Sequence, residues 1–409
     1  MELRLYQKEI VVQALEVLKK SNFVYLAMEV RTGKTLTSLS IYNELNLHNV
    51  LFITKKKAIS SIDYDYKLLS PDYRITIINY ESLHKVPITG WDGVICDEAH
   101  SLGAFPKPNK RAKQVKEIIK RSKAITILLS GTPTPESFSQ MYHQVYGIIG
   151  NPFNKYKNFY AFCKDYVNVK QIKINGLFIN DYSKGRQSII DTIEPFKINY
   201  TQKMAGFSTK TTENVLYVNL KPVTVNLIKK LKKDRVIEGD NEIVLADTPV
   251  KLMSKIHQLC SGTIKFESGN SMVVDYTKAK FIQNYFKGKK IGIFYKFKEE
   301  YKAIKHVFKD MITNDLEDFN ITDKSIALQI VSGREGISLK QADSLVYYNI
   351  DFSATSYWQS RDRMTTKNRK NNNIFWVFSN DGIEKDIYKA VVKKKDYTLS
   401  HFKRDLLDL

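Results

Sequence analysis

Apolar residues fall along the first third of the chain in two alternating rhythms. The segment "LYQKEIVVQALEVLKK" spaces them at helical intervals, whereas "NFVYLAME" after it is a short apolar run bounded by polar residues, which reads as a buried strand. The pair then repeats. "LTSLSIYNELNL" predicts a helix, and "NVLFIT", "ITIINY", "WDGVICDEAH" and "AITILLSGTP" predict strands, the last two ending in acids and in a turn. Strands that are apolar on both faces and alternate with helices predict a parallel sheet covered on both sides. Such sheets gather ligands at the carboxyl ends of their strands, where each polar motif of this chain falls. A second series, "KIGIFYKF", "IALQIVSG", "DSLVYYNI" and "NIFWVFSN", predicts a second α/β domain. Between the two, at about residues 140 to 250, the pattern is less regular: "NPFNKYKNFYAF", a predicted hairpin in "KINGLFIN" and a basic helix in "VNLIKKLKKDR". No solenoid-length repeat and no long low-complexity tract interrupts the series.

Composition narrows the class. A chain of 409 residues can bury two cores, which sets the expected domains at 1–205 and 206–409. Its 43% hydrophobic and 12% aromatic content is that of a globular protein. No stretch approaches the roughly 18 to 20 apolar residues that a membrane span needs. "MELRLYQKEI" carries charges at once and no signal-type apolar core, so the expected location is cytoplasmic. Cys96, Cys163 and Cys260 lie too far apart for a metal-ligand spacing, and their odd number suits a reducing compartment. Lys plus Arg outnumber Asp plus Glu by 64 to 43, and the resulting +21 favours a polyanionic partner such as nucleic acid.

Candidate chemistry begins at "AMEVRTGKT", residues 27–35. A phosphate-binding loop needs backbone N–H groups converging at a helix N-terminus, a lysine for the outer phosphates and a hydroxyl for magnesium; Gly33, Lys34 and Thr35 supply that end. The early glycine of the strict pattern is missing, with Met28 in its place. About 60 residues on, "VICDEAH" ends an apolar strand in adjacent acids. Asp97 is expected to hold the metal, and Glu98 to orient or deprotonate the attacking water.

Taken in order, "MEVRTGKT", "CDEAH", "LLSGTPTPE", "IVSGREGISL" and "QSRDR" resemble the motifs of superfamily-two helicases and translocases, over nearly the whole chain. "LRLYQKEIV", "INYESL" and "GREGISLKQADSLVYYNIDFSATSYWQSRDR" resemble the Snf-type double-strand DNA translocases, in a compact version such as phages and mobile elements carry. The resemblance implies two RecA-like parallel-sheet lobes flanking an ATP cleft, with a less regular helical and hairpin insertion between them. It implies ATP and Mg2+ as cofactors and ATP hydrolysis coupled to stepping along the duplex. In that family the loop often reads acid, apolar, glycine, any residue, then GKT, so Glu29 and Val30 fit and Arg31 stands where glycine is usual. Arg31 is expected to be a surface side chain in the αR region.

Further roles follow from the same resemblance. Gln7 is expected at the adenine edge, Thr32 with the phosphate loop, and His100 with Ser130 and Thr132 in the link between hydrolysis and the DNA track. Gln359 and Arg363 match the start of the family's arginine motif, but its second arginine falls on Thr366; Arg361, Lys367 and Arg369 are the nearby candidates to replace it. Gly333 and Gly336, with Glu335 between them, allow close approach to ATP and to the DNA backbone. Trp358 is expected in the core. Gripping a duplex without reading it takes hydroxyls, amides and cations, and Thr54, Lys55, Lys56, Tyr80, Lys296 and Ser332 are the candidates at strand ends. Two alternatives stay open: a strand-separating DNA or RNA helicase, and an ATP-gated clamp with little turnover.

Overall fold

The computed structural model describes residues 2–174, 177–239, 241–333, 337–366, 368–380 and 382–393, with the backbone alone for 172, 174, 177, 332, 333 and 355. The chain divides into two compact units, Met1–Phe207 and Ser208–Leu409.

In the first unit the five predicted apolar runs form β1 (Phe23–Met28), β2 (Asn49–Thr54), β3 (Arg74–Asn79), β4 (Gly93–Cys96) and β5 (Ile125–Leu129). The hairpin is β6 (Lys170–Ile174) and β7 (Leu177–Asp181), paired antiparallel. A further strand, β8 (Lys197–Tyr200), has too few apolar residues to announce itself in the pattern. The sheet order is β3-β2-β4-β5-β1-β8, parallel throughout. Its two faces feed separate cores because successive side chains of a strand point to opposite sides. Phe23, Tyr25, Leu51, Ile53, Val94 and Leu128 pack on one side with Ile118, Ile119 and Met141. Val24, Leu26, Val50, Phe52, Ile95 and Ile127 pack on the other with Ile10, Val11, Leu39 and Ile41, from helices α1 (Leu5–Lys20) and α2 (Lys34–Glu44). Each such fully buried side chain contributes about 1.5–3 kcal/mol of transfer free energy.

The second unit repeats the plan. Its strands are β9 (Lys210–Val218), β10 (Val236–Glu238), β11 (Ile243–Leu245), β12 (Thr263–Lys265), β13 (Ser271–Val273), β14 (Ile291–Tyr295), β15 (Ile312–Thr313), β16 (Ser325–Gln329), β17 (Ser344–Tyr347) and β18 (Asn371–Ser379). Six of them form a parallel sheet in the order β15-β16-β14-β17-β18-β9, and the other four form two antiparallel hairpins. Phe294, Ile326, Leu345, Tyr347 and Trp376 face one core, and Ile293, Ala327, Val346, Tyr348 and Val377 the other. Two helix-covered, six-stranded parallel sheets are the two RecA-like lobes that the sequence implies. The run "IALQIVSG" is strand only to Gln329, and Ile330–Gly333 is a helical turn. Among the described residues no helix is long and apolar enough to cross a membrane.

Candidate active site

In the first unit the interior strand β1 stops at Met28, and after five intervening residues the chain re-enters helix at Lys34 as α2, with Gly33 as its cap. Gly33 has φ +83°, a conformation that calls for glycine, and a Cβ there would meet Gln7 Nε2 at 2.5 Å and displace that side chain. Arg31 is also left-handed, at φ 66°. This corrects the αR expectation: the place usual for glycine demands positive φ here too, and an arginine occupies it against a steric cost of about 1–2 kcal/mol.

The loop is braced from several sides. Thr32, fully buried, donates its hydroxyl to Glu29 O at 2.7 Å, and its own carbonyl accepts from Tyr6 Oη at 3.0 Å. The Glu29 carboxylate accepts the Gln202 backbone N–H at 2.6 Å, and Gln202 Nε2 donates to Val30 O at 3.0 Å. Tyr6 stacks on Tyr200 with ring centres 4.7 Å apart. Gln202 and the tyrosine pair escaped the sequence reading because they meet the loop through the β1–β8 pairing, for which no local signal exists. Gln7 is not the solvated side chain an isolated glutamine on an amphipathic helix would be, since only 3% of it is exposed. Its Oε1 accepts from Arg4 N at 3.0 Å, and its Nε2 donates to Gly33 O at 3.2 Å and Thr37 Oγ1 at 3.3 Å. Lys34 Nζ donates to the carbonyls of Met28 at 3.0 Å and Glu29 at 3.4 Å, with Thr35 half-buried beside it on the first turn of α2. The backbone N–H groups of that turn have no carbonyl partners within the helix, which makes it an anion site in waiting.

Asp97 follows β4, between β2 and β5 in the sheet order. Desolvation, and then the neighbouring Glu98 charge, push its carboxyl up to about 6, while the Lys34 ammonium pulls the other way. Glu98 is left-handed at φ 52° and leads into a short 3-10 turn, Ala99–Leu102. Its Oε2 lies 3.3 Å from His100 Nδ1, which lies 2.9 Å from Ser130 Oγ, and that hydroxyl accepts the Thr132 N–H at 3.1 Å. The candidate acid and the three candidate coupling residues thus form one chain across the ends of β4 and β5. Magnesium takes hard oxygen ligands, keeps several waters and uses one or two protein carboxylates. The Asp97 carboxyl and Thr35 hydroxyl fit that need, and a cation there would offset the desolvation and the adjacent Glu98 charge that raise the Asp97 carboxyl. Among the described residues no group of three or more His, Cys, Asp or Glu could hold a metal.

Several candidate DNA contacts have partners within their own unit. Thr54 is fully buried and donates to Asp97 Oδ2 at 2.8 Å; Tyr80, 1% exposed, donates to the Asp97 carbonyl at 2.6 Å. Both hydroxyls face the acid, leaving nothing to offer a duplex. Lys296 forms an ion pair with Asp351 at 2.9 Å, and its ammonium lies 3.8 Å from the centre of the Phe352 ring, so its charge is already matched within its own unit. Lys56 is exposed in the 3-10 turn after β2. Ser332 lies in the turn Ile330–Gly333, and Gly336, Glu335 and Lys367 lie outside the described residues.

In the second unit Gln359 is buried near the end of helix Ala354–Ser360, and Arg363 sits in the following turn with Nη1 on Ile337 O at 3.3 Å. Thr366 supplies its carbonyl to Thr209 Oγ1 and to the Arg369 N–H. Of the replacements considered for the second arginine, Arg361 pairs with Glu213 at 3.2 Å, and the Arg369 guanidinium donates to the carbonyls of Asn371, Lys340 and Asp343. Trp358 is partly buried against the core, its indole N–H on Val391 O at 3.1 Å.

The family model described as SNF2-related domain matches residues 54–264, and that described as type III restriction enzyme, res subunit, matches residues 1–73. No curated protein matches the chain. Among solved structures, the Sulfolobus solfataricus SWI2/SNF2 ATPase core in complex with dsDNA is 18% identical with a TM-score of 0.44, over 99% of this chain and 92% of that one. The ATPase core domain from the same organism is 17% identical with a TM-score of 0.43, over 96% and 89%. The first family model covers just over half of the 409 residues, and the chain therefore belongs to the SNF2-related family: it is an ATP-hydrolysing, DNA-dependent motor enzyme.

Proposed function

We propose that the protein translocates along double-stranded DNA without reading its sequence, each step driven by hydrolysis of one ATP bound with Mg2+. The observation that carries this reading is the common site of Lys34, Asp97 and Glu98 at the ends of β1 and β4, with Glu98 linked through His100 to Ser130. Gly33 and the first turn of α2 cradle the phosphates, Lys34 neutralises the outer ones, Thr32 holds the loop in shape, and Gln7 presents its amide edge near the adenine. Thr35 and Asp97 hold the metal, which when bound neutralises charge on the phosphate oxygens. Glu98 orients a water for in-line attack, and His100 fixes the Glu98 carboxylate. Arg363, with Gln359 beside it in sequence, supplies a cation for the charge that spreads over the transferred group. The +21 charge and exposed Lys56 suit a phosphate-backbone partner.

Hydrolysis measured with and without duplex DNA tests this directly. Duplex stimulation lost in Lys34→Ala, with triplex displacement and no unwinding of a forked duplex, is the expected pattern. Forked-duplex unwinding would instead make the protein a strand-separating helicase. One observation favours a low-turnover clamp as the second reading: Thr366 replaces an arginine, and Arg361 and Arg369 are engaged elsewhere in their own unit. Turnover that duplex DNA does not raise would select it.

A further inference from the structure

Two buried hydroxyls have a common target. Thr54, at the end of β2, gives its hydroxyl proton to one carboxylate oxygen of Asp97, and Tyr80, after β3, gives its phenolic proton to the carbonyl oxygen of the same residue. That carbonyl belongs to the peptide unit joining Asp97 to Glu98, and Glu98 is left-handed. A non-glycine residue there relaxes by rotating that peptide, and a hydrogen bond on its oxygen opposes the rotation. We infer that Thr54 and Tyr80 are positioning residues for the two acids: Thr54 sets the carboxylate of Asp97 toward the metal, and Tyr80 pins the Asp97–Glu98 peptide so that Glu98 keeps its orientation toward the water.

The division of labour follows from the atoms. Thr54 engages Oδ2 at 2.8 Å, and hydrogen bonds behind a ligating carboxylate fix its angle of approach. Tyr80 does not touch the carboxylate, so its effect reaches Glu98 through the backbone. Its ring is held from two directions, by burial among the neighbours of Leu83 and Val94 and by the Arg111 guanidinium 6.0 Å from its centre, itself paired with Glu81. The hydroxyl therefore presents a fixed donor.

This inference rests on the ATPase reading above, and the experiment separates the two. Thr54→Val, Thr54→Ser and Tyr80→Phe each keep most of the buried volume. Duplex-stimulated hydrolysis is followed as a function of ATP and of Mg2+, Mn2+ binding in the presence of a non-hydrolysable ATP analogue is followed by electron paramagnetic resonance, and thermal unfolding is recorded. Thr54→Val is expected to weaken Mn2+ binding and raise the Mg2+ midpoint about 10-fold, with Thr54→Ser restoring both. Tyr80→Phe is expected to lower kcat about 10-fold, with KM for ATP and Mn2+ affinity within about twofold of wild type. Wild-type values in both Thr54→Val and Tyr80→Phe overturn the inference while leaving the ATPase reading intact. Parallel losses of kcat, ATP affinity and thermal stability in either variant also overturn it, since they mark a merely structural role. A wild-type protein that binds no metal with the ATP analogue and hydrolyses nothing overturns the ATPase reading instead.

Discussion

The two units share a covered, parallel, six-stranded architecture with different strand orders, and they use the carboxyl ends of their strands differently. In the first, Lys34, Asp97, Glu98, His100 and Ser130 lie at the ends of neighbouring strands and interact in series. In the second, charges on and after the strands are neutralised internally. Lys296 after β14 pairs with Asp351 beyond β17, and Glu213 on β9 takes Arg361 together with the hydroxyls of Tyr357 and Tyr388 and the indole of Trp376. Topology thus supplies the address, but the partner of each charge decides whether it is open to a ligand. An acid crowded by another acid invites a cation; an acid surrounded by donors has had its need met.

The sharpest way to break this contrast is at Glu98. Glu98→Gln is expected to lower kcat by about 10²–10⁴-fold while leaving binding of a fluorescent ATP analogue in place, as read by stopped-flow hydrolysis and titration. Next is Glu213→Ala, which strands a buried guanidinium and three aromatic donors; urea unfolding should show a loss of about 3 kcal/mol, with ATP binding unchanged. A smaller effect separates two lysines that look alike in sequence. Lys296→Met should cost about 1–2 kcal/mol of stability with the salt dependence of duplex binding unaltered. Lys56→Ala should leave stability within about 0.5 kcal/mol and reduce the salt slope by about 1. The smallest concerns the loop: Arg31→Gly relieves a left-handed backbone position but frees the unfolded chain and removes the side chain's own contacts, for a change within about 1 kcal/mol in denaturant unfolding, with ATP affinity within about twofold. A larger fall in ATP affinity would give Arg31 a phosphate contact.

These comparisons mark what the sequence could reveal. The phosphate loop, the acidic strand end and the order of the motifs were legible because each is a contiguous string, recognisable without the distant partners that brace it. The central strands were legible because both faces are buried and no polar residue interrupts them. Edge strands β8 and β9 were not, since an edge needs less apolar surface and mixes polar residues such as Asn199, Thr211 and Glu213 into the run. Thr54 and Tyr80 were sought at strand ends, but their bonds to Asp97 were not foreseen: strand-end placement follows from pattern, whereas the direction of a hydroxyl follows from which strands are neighbours. Arg31 was misread for a related reason, because its backbone angle is imposed by the loop between β1 and α2 and leaves no trace in residue type.

The nine-residue pairing of β9 with β18 joins the start of the second unit to a segment near its end, whereas β1, β5 and β8 of the first unit all lie within the opening 200 residues. On the ribosome the amino-terminal half can therefore complete its sheet while the remainder is still being synthesised, but β9 must wait for its neighbour until translation has passed Ser379. A chain released before that point would carry a finished nucleotide-binding half and an unpaired strand edge behind it, open to association with other chains.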